Sequence, residues 1–317
     1  MVRRVTRWLG FALALGLLVP GTSAAVTTVQ LDPSNNPQYI AVDGDPGSNH
    51  VELSYDPTSG RILISEPGIT SIGSSCTDTG DTVACKPPAP SPFGFGGGVV
   101  VSLREGNNTV HVSPSFPASY SVSFFSWRSG ADSFFGGPED DRVDPGPGAD
   151  FISGGPGEDS VIYSQRVTPV FARLDGSPTS GNELDGPVGA RDTLATDIED
   201  IMGGNAADKL IGNSSPNKLI GFKSRDVLIG LGGADHLAGE YGNDFATGTA
   251  SANRLYGGRG RDFLLGEVGG DSLFGGPGID RIDAKDKQRE KTINCGPGDD
   301  RHERATRDGG DPHPISC

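Results

Sequence analysis

A nine-residue period runs unbroken from Gly203 to Asp283 and constrains this chain more than any other feature. Each unit opens with glycine, carries an oxygen-bearing side chain at position six and has an apolar side chain at position eight. The position-six residues are Asp208, Asn217, Asp226, Asp235, Asp244, Asn253, Asp262, Asp271 and Asp280. A sustained period of this length predicts a solenoid, because each short unit must stack on its neighbours to bury its apolar side chain.

A shorter block upstream follows the same rule. Its oxygen-bearing positions are Asp132, Asp141, Asp150 and Asp159, each followed two residues later by an apolar residue. Residues 154–159 and 275–280 both read G-G-x-G-x-D. On these motifs the chain resembles the RTX, or hemolysin-type, calcium-binding repeat family.

The resemblance implies an all-β fold, a right-handed parallel β-roll that forms a calcium-filled β-solenoid, here with a small N-terminal β-rich cap. In the family two nonapeptides make one coil, so residues 18 apart stack. Carbonyls of the glycine-rich turns and position-six carboxylates of two stacked turns then share one ion. The implied metal ligands are the position-six residues of both blocks and the turn glycines Gly136, Gly154, Gly203, Gly221, Gly239, Gly257 and Gly275.

Elementary electrostatics favours a metal between the turns. Carboxylates on adjacent coils repel by about 1–4 kcal/mol, depending on the effective dielectric, and a divalent cation reverses the sign. Calcium accepts several hard oxygen ligands in flexible geometry, whereas zinc prefers nitrogen and sulfur ligands that these positions lack. The competing interpretation is a metal-free β-solenoid that uses Asp and Asn only as turn formers.

The two edges of the main block are expected to differ. Alternate units place their turns on opposite edges, so one edge carries Asp at every coil and the other alternates Asn with Asp. Since ligand charge tunes calcium affinity, the all-Asp edge is expected to bind calcium more tightly.

The apolar core predicted for such a roll is thin, since each unit contributes one inward side chain. The chain contains 49 glycines and few aromatic residues, a composition that does not favour a thick core. We therefore expect folding to depend on calcium, with disorder as the alternative in its absence.

The N-terminus resembles a secretory signal. Residues 1–24 combine three arginines, an apolar run and a small-residue cleavage site; a membrane anchor is the alternative, although the run is short for a span. We expect a secreted, extracellular protein without a membrane span in the mature chain. Removing the three positive charges takes the formal charge from −15 to −18, which disfavours nucleic-acid partners. Calcium ions are the predicted partners; a further protein or glycan partner is not identified.

Four cysteines in an exported chain predict two disulfides. Three pairings are possible, and local pairing, Cys76 with Cys85 and Cys295 with Cys317, is the simplest. Each would staple a segment with little core of its own.

Composition shifts divide the chain into a signal peptide and five further parts. These are the N-terminal β-rich cap at 25–126, the first repeat block at 127–162, an insertion at 163–202, the main block at 203–283 and a disulfide-closed C-terminal cap at 284–317. The N-terminal region could instead be a separate binding module.

Catalytic signatures are missing from the sequence. There is no H-E-x-x-H and no G-x-S-x-G, and the five histidines are scattered. We therefore expect a calcium-binding protein with a structural or interaction role rather than an enzyme. The alternatives are an exported enzyme, of hydrolase or epimerase type, that carries the repeats as a stability module, and an extracellular adhesin that binds glycan or protein.

Overall fold

The computed structural model describes residues 28–31, 39–44, 46–67, 69–72, 76–87, 98–117, 119–126, 128–187, 189, 191–284, 288–297, 304–307, 309 and 311–315. Within these ranges the chain forms strands and turns and no helix, so no described helix could span a membrane. The predicted signal peptide and Cys317 lie outside the described residues.

The strands are short and follow one another closely. The N-terminal region contains β1 (Thr28–Leu31), β2 (Tyr39–Asp43), β3 (His50–Asp56), β4 (Arg61–Ser65), β5 (Thr70–Ile72), β6 (Cys76–Asp78), β7 (Thr82–Cys85), β8 (Gly98–Leu103), β9 (Thr109–Val112) and β10 (Ser121–Ser126). The first block and insertion contain β11 (Ser133–Phe135), β12 (Arg142–Asp144), β13 (Phe151–Ser153), β14 (Ser160–Ile162), β15 (Phe171–Arg173), β16 (Pro178–Ser180), β17 (Asp192–Leu194) and β18 (Asp200–Met202).

The main block and the C-terminal segment complete the series. They contain β19 (Lys209–Ile211), β20 (Lys218–Lys223), β21 (Val227–Ile229), β22 (His236–Gly242), β23 (Phe245–Gly248), β24 (Arg254–Gly260), β25 (Phe263–Gly266), β26 (Ser272–Phe274), β27 (Arg281–Ala284), β28 (Thr292–Asn294) and β29 (Arg304–Arg307).

Three sheets form the two faces of a parallel β-roll. A 13-stranded sheet has the order β28-β26-β24-β22-β20-β18-β14-β12-β10-β8-β2-β1-β5. The other face consists of a nine-stranded sheet, β16-β17-β13-β11-β9-β3-β4-β7-β6, followed by a seven-stranded sheet, β15-β19-β21-β23-β25-β27-β29. Through the main block every pairing is parallel, and the chain alternates between the faces as the nonapeptide period predicts.

The register between coils is 18 residues, which stacks identical repeat positions. Leu210 pairs with Leu228, which in turn pairs with Ala246, and on the other face Leu219 pairs with Leu237. All position-eight side chains of the main block are fully buried. The core is therefore two facing apolar columns closed by the turns, because alternate strand residues point to opposite sides.

The insertion keeps the roll continuous despite the reset of the repeat. On the 13-stranded face β18 pairs directly with both β14 and β20. On the other face β17 continues from β13, while β15 begins the next sheet by pairing with β19. Antiparallel β16 lies beside β17, and Phe171 bridges to Gly181. The insertion therefore adds an antiparallel strand to one face of the roll only.

Strand pairing also crosses the boundary predicted near residue 126. β10 pairs with β12 on one face and β9 pairs with β11 on the other. The N-terminal strands therefore form the first coils, and an antiparallel set, β3, β4, β7 and β6, extends one face. The division into domains stays a prediction.

The predicted local disulfide is confirmed for Cys76 and Cys85, which face each other across β6 and β7. It closes the outermost hairpin of the nine-stranded sheet. Cys295 is buried and disulfide-bonded; its predicted partner lies outside the described residues.

Candidate metal centre

The position-six side chains of the main block stack along the two edges of the roll. We call Asp208, Asp226, Asp244, Asp262 and Asp280 the acidic column, and Asn217, Asp235, Asn253 and Asp271 the mixed column. The acidic column lies in turns that lead from the 13-stranded to the seven-stranded sheet, and the mixed column lies in the turns that lead back. All nine side chains are buried.

One hydrogen bond links each coil of the acidic column to the next. The backbone N–H of Asp226 donates to Asp244 Oδ1 at 2.8 Å, and that of Asp244 donates to Asp262 Oδ1 at 2.8 Å. The bonds from Asp208 to Asp226 and from Asp262 to Asp280 have the same form. One carboxylate oxygen of each side chain is therefore fixed by the preceding coil.

The mixed column is built the same way. The N–H of Asn217 donates to Asp235 Oδ1, that of Asp235 to Asn253 Oδ1 and that of Asn253 to Asp271 Oδ1, at 2.8–2.9 Å. The amide nitrogen of Asn253 is used locally, because it donates to the carbonyls of Ala250 and Ser251. Asn thus reproduces the ladder without adding charge.

The second carboxylate oxygen is the chemically unusual group. Oδ2 of Asp226, Asp235, Asp244 and Asp262 is buried and has no hydrogen-bond partner among the described residues. A buried polar atom without a partner costs free energy, and native proteins seldom retain one. Its recurrence with the repeat indicates a series of cation-binding sites.

The turn glycines leave the space that such a cation would need. A Cβ added at Gly257 would lie 2.5 Å from Asp262 Oδ2 and 2.6 Å from the carbonyl oxygen of Gly275. At Gly203 the same atom would lie 2.5 Å from Asp208 Oδ2 and 2.9 Å from the Gly221 carbonyl oxygen. Two acceptor oxygens from successive coils therefore converge on a site that only glycine leaves open.

The other predicted glycines repeat this arrangement. At Gly136, Gly239 and Gly275 an added Cβ would meet a carboxylate oxygen of the same unit and a carbonyl oxygen of the next coil. At Gly154 and Gly221 the atom nearest to the added Cβ is a carboxylate oxygen of the same unit. Oxygen-only convergence of this kind suits calcium, which binds carboxylates and backbone carbonyls together. The residues present fit calcium; the individual ligand assignments stay predictions.

Burial makes the metal-free carboxylates hard to ionise. It raises the pKa of Asp226 to about 8, where the like charges of Asp244 and Asp208 add to the effect. Burial also raises the pKa of Asp244 to about 7, helped by Asp262. For Asp235, whose column neighbours are Asn, burial raises the pKa to about 7 without a like-charge contribution. The like-charge repulsion expected on the all-Asp edge is present there.

Three ligand positions differ, because their own turn already supplies a donor. Oδ2 of Asp208 accepts a hydrogen bond from the N–H of Gly204 at 2.5 Å, and Oδ2 of Asp141 accepts one from Gly137 at 2.7 Å. Oδ1 of Asn217 accepts one from Asn213. These positions have less unmet demand for a cation than the middle of the acidic column.

The first block contains two shorter columns. Asp132 donates its N–H to Asp150, and Asp141 donates to Asp159, both at 2.7 Å. Burial raises the pKa of Asp159 to about 8, and the Oδ2 atoms of Asp132, Asp150 and Asp159 have no described partner. The first block thus offers the same chemistry as the main block.

The columns extend further than the nonapeptide period indicated. Their additional members are Asn49, Asn108, Asp192, Glu199, Glu290 and Asp311, which continue the ladder above and below the repeats. Most of these residues share one sequence signal with the repeats: an oxygen-bearing side chain two residues before a buried apolar one, as in Asn108 and Val110. That signal could have found Asn49, Asn108, Asp192 and Glu199 without a fixed period.

A different arrangement stands at the insertion. Asp192 accepts the N–H of Asp150 at 3.0 Å and the hydroxyl of Tyr163 at 2.9 Å. Close by, the buried guanidinium of Arg166 contacts Asp185 Oδ1 at 2.5 Å and donates to the carbonyl of Gly146. Burial raises the pKa of Asp185 and Asp192, and Arg166 opposes the rise. We call these residues the junction cluster.

Within the described ranges no three His, Cys, Asp or Glu side chains converge on one point. The column sites differ from such clusters, because two side chains and the turn carbonyls would share each ion. A roll whose edges hold buried, unpartnered acidic oxygens beside open glycine turns belongs to the class of metal-binding parallel β-solenoids.

The comparison with protein families gives the class a name. The model of the RTX calcium-binding nonapeptide repeat (4 copies) matches residues 128–161, 202–237, 220–250, 238–273 and 247–282. These residues match the RTX calcium-binding nonapeptide repeat, which implies a calcium-binding β-roll. The resemblance noted from the sequence and the parallel β-roll fold are confirmed. No curated protein matches the chain.

Proposed function

We propose that this chain is a secreted calcium-binding β-roll protein whose folding is driven by calcium outside the cell and whose role is structural or interactive. The observation that carries the proposal is the series of buried Oδ2 atoms without partners on the acidic column. Calcium would supply the missing positive charge and relieve the repulsion between successive carboxylates.

Several ions are proposed rather than one. In the acidic column the pairs Asp226 with Asp244, Asp244 with Asp262, and Asp262 with Asp280 each join two carboxylates across one coil step. The mixed column offers one carboxylate and one amide per step. Each pair of the acidic column is therefore proposed as a site, with weaker sites on the mixed column.

An extracellular location fits the chemistry of the fold. The Cys76–Cys85 disulfide is typical of an oxidising compartment, and calcium modules outside cells work at about 10⁻⁴–10⁻³ M. A ligand present at about 100 times its dissociation constant adds about 2.7 kcal/mol per site to the free energy of unfolding. Several such sites would dominate the stability of a thin core.

Two other functions compete with this one. An exported enzyme needs a catalytic constellation, and no such motif stands out in the sequence, so the proposal is a protein without catalytic activity. An adhesin that binds glycan or protein is compatible with the calcium role and is the second candidate, supported by the surface described in the next subsection.

Circular dichroism of the purified chain from residue 25 tests the calcium role. We expect a β spectrum and a high melting temperature with calcium, and a weaker β spectrum and a much lower melting temperature in calcium-free buffer at the same pH, with magnesium as the control cation. Isothermal titration should give more than one calcium per chain. An unchanged spectrum and melting temperature without calcium would reject the proposal.

A further inference from the structure

Basic residues are concentrated on the outer rim of one edge of the main block. The turns that carry the acidic column contain Lys223, Arg225, Arg259 and Arg261 at their third and fifth positions. The turns of the opposite edge, 213–216, 231–234, 249–252 and 267–270, contain no Lys or Arg. For a chain with a net charge of −15, this is a marked local reversal of sign.

Strand pairing sets these side chains in a line. Lys223 pairs in register with Tyr241, and Tyr241 pairs with Arg259. Successive coils lie about 4.8 Å apart, so an aromatic ring stands between two cations on three neighbouring coils. The Arg259 guanidinium lies 5.6 Å from the centre of the Tyr241 ring, which holds the ring against one neighbour.

These residues line an open groove of about 940 Å³. Lys223, Arg225 and Arg259 are exposed, and none of them makes an ion pair with a described residue. Tyr241 is 52% exposed, which makes it one of the largest apolar surfaces left uncovered. The groove thus presents positive charge without an ion-pair partner on both sides of a half-exposed aromatic ring.

The chemistry of the groove selects its ligand. Arg and Lys bind carboxylate and sulfate groups, and the exposed face of Tyr accepts the apolar face of a sugar ring. A single exposed ring is a poor platform for single-stranded nucleic acid, which stacks successive bases on several aromatics. The strongly acidic remainder of the molecule would repel a polyanion that extended beyond the groove.

We propose that this groove, lined by Lys223, Arg225, Tyr241 and Arg259, binds an acidic oligosaccharide short enough to lie within it. A ring of the glycan contacts the exposed part of Tyr241, and its carboxylate or sulfate groups contact the flanking cations. The inference rests on the proposed extracellular interaction role, but it does not require that calcium controls folding.

Binding of size-defined oligosaccharides to the calcium-loaded chain tests the proposal. The probes are an oligogalacturonate for carboxylate, a heparin oligosaccharide for sulfate, a neutral dextran oligosaccharide, and single-stranded DNA of matched charge. We expect binding of one or both acidic glycans that weakens as salt rises, and none to dextran. Tighter binding of the DNA than of either glycan would overturn the choice of ligand.

Two groups of variants separate binding from stability. Lys223→Gln with Arg259→Gln should weaken glycan binding at least tenfold, and Tyr241→Ala should weaken it severalfold. The matched control is Arg173→Gln with Arg281→Gln, which removes equal charge from exposed arginines already paired with Asp175 and Asp283; it should leave binding unchanged.

The competing role for the basic rim is neutralisation of the carboxylates beneath it. In that case the groove variant would lower the melting temperature of the calcium-free chain and bind glycan as the original does, which would overturn the proposal. The circular dichroism test distinguishes the failure of the two proposals. If the chain folds with calcium but binds no acidic glycan, only the groove proposal is rejected. If calcium changes neither the spectrum nor the melting temperature, the calcium proposal is rejected and the glycan titration still tests the groove.

Discussion

Arg166 and Asp185 form a buried ion pair at 2.5 Å, where the first repeat block meets the insertion. Both side chains are almost fully inaccessible to solvent. The guanidinium also donates to the carbonyl of Gly146, in the turn that leads to Asp150. At the junction cluster the protein therefore supplies its own permanent cation among buried carboxylates.

Replacing that cation should be costly. Arg166→Met is expected to destabilise the calcium-loaded chain by about 3–5 kcal/mol, because it leaves Asp185 buried without its partner. Arg173→Met removes an exposed pair with Asp175 and should cost at most about 1 kcal/mol. Denaturant unfolding of both variants checks the difference; equal losses would show that the junction cluster contributes no more than a surface pair.

The two edges should respond differently to single changes of charge. Asp244→Asn removes a carboxylate from the acidic column and should weaken calcium binding, whereas Asn253→Asp adds one to the mixed column and should strengthen it. Calorimetric titration measures both, with the exposed Glu183→Gln as control. A larger loss from Asp235→Asn than from Asp244→Asn would contradict the assignment of the tighter sites to the acidic column.

Without calcium, stability should fall as pH rises. The folded-state pKa values of Asp262, Asp244 and Asp226 are raised by burial to about 6, 7 and 8, above the ordinary value near 3.8. Raised folded pKa values favour the folded state fully below pH 4, and that contribution is lost as pH climbs through 6–8. Melting temperatures in calcium-free buffer should drop between pH 5 and pH 8.5.

The matched variant for this experiment is Asp226→Asn, which mimics the protonated carboxyl group. This variant should reduce the change in melting temperature near pH 8 in calcium-free buffer. It should also lower the melting temperature of the calcium-loaded chain. A melting temperature that is constant or rises from pH 5 to pH 8.5 in the original chain is the contrary outcome.

Filling the space beside a turn glycine should block one site without altering charge. A methyl group at Gly257 would meet Asp262 Oδ2 and the Gly275 carbonyl oxygen, so Gly257→Ala should reduce the number of calcium ions bound. Gly309 has nothing within 4 Å of an added Cβ, and Gly309→Ala should bind calcium normally. Full stoichiometry in Gly257→Ala would place the ion elsewhere.

The sequence predicted the stacking of the repeats because period, oxygen-bearing position and apolar position all recur together. Asp226 and Asp244 could be placed one above the other because the family resemblance implies a coil of two nonapeptides. Asn108 and Glu199 were missed because their coils are not nine residues long, although each still precedes a buried strand residue by two. The pairing of Arg166 with Asp185 was not predictable, since nothing local to either residue indicates a contact across the insertion.

Differences among the ligand positions also lay beyond the sequence. Asp208 and Asp226 occupy the same place in the repeat, yet Oδ2 of Asp208 has an N–H donor from its own turn and Oδ2 of Asp226 has none. Which turn directs a donor inward depends on backbone orientation, and the repeat pattern does not record it.

The ladder of hydrogen bonds along each column has a direction. Among the described residues of the acidic column, the N–H of each position-six residue from Asp208 to Asp262 donates to the carboxylate oxygen of the following coil, as from Asp226 to Asp244. Truncation from the carboxyl end therefore strips the last remaining coil of its acceptor, whereas truncation from the amino end removes only donors.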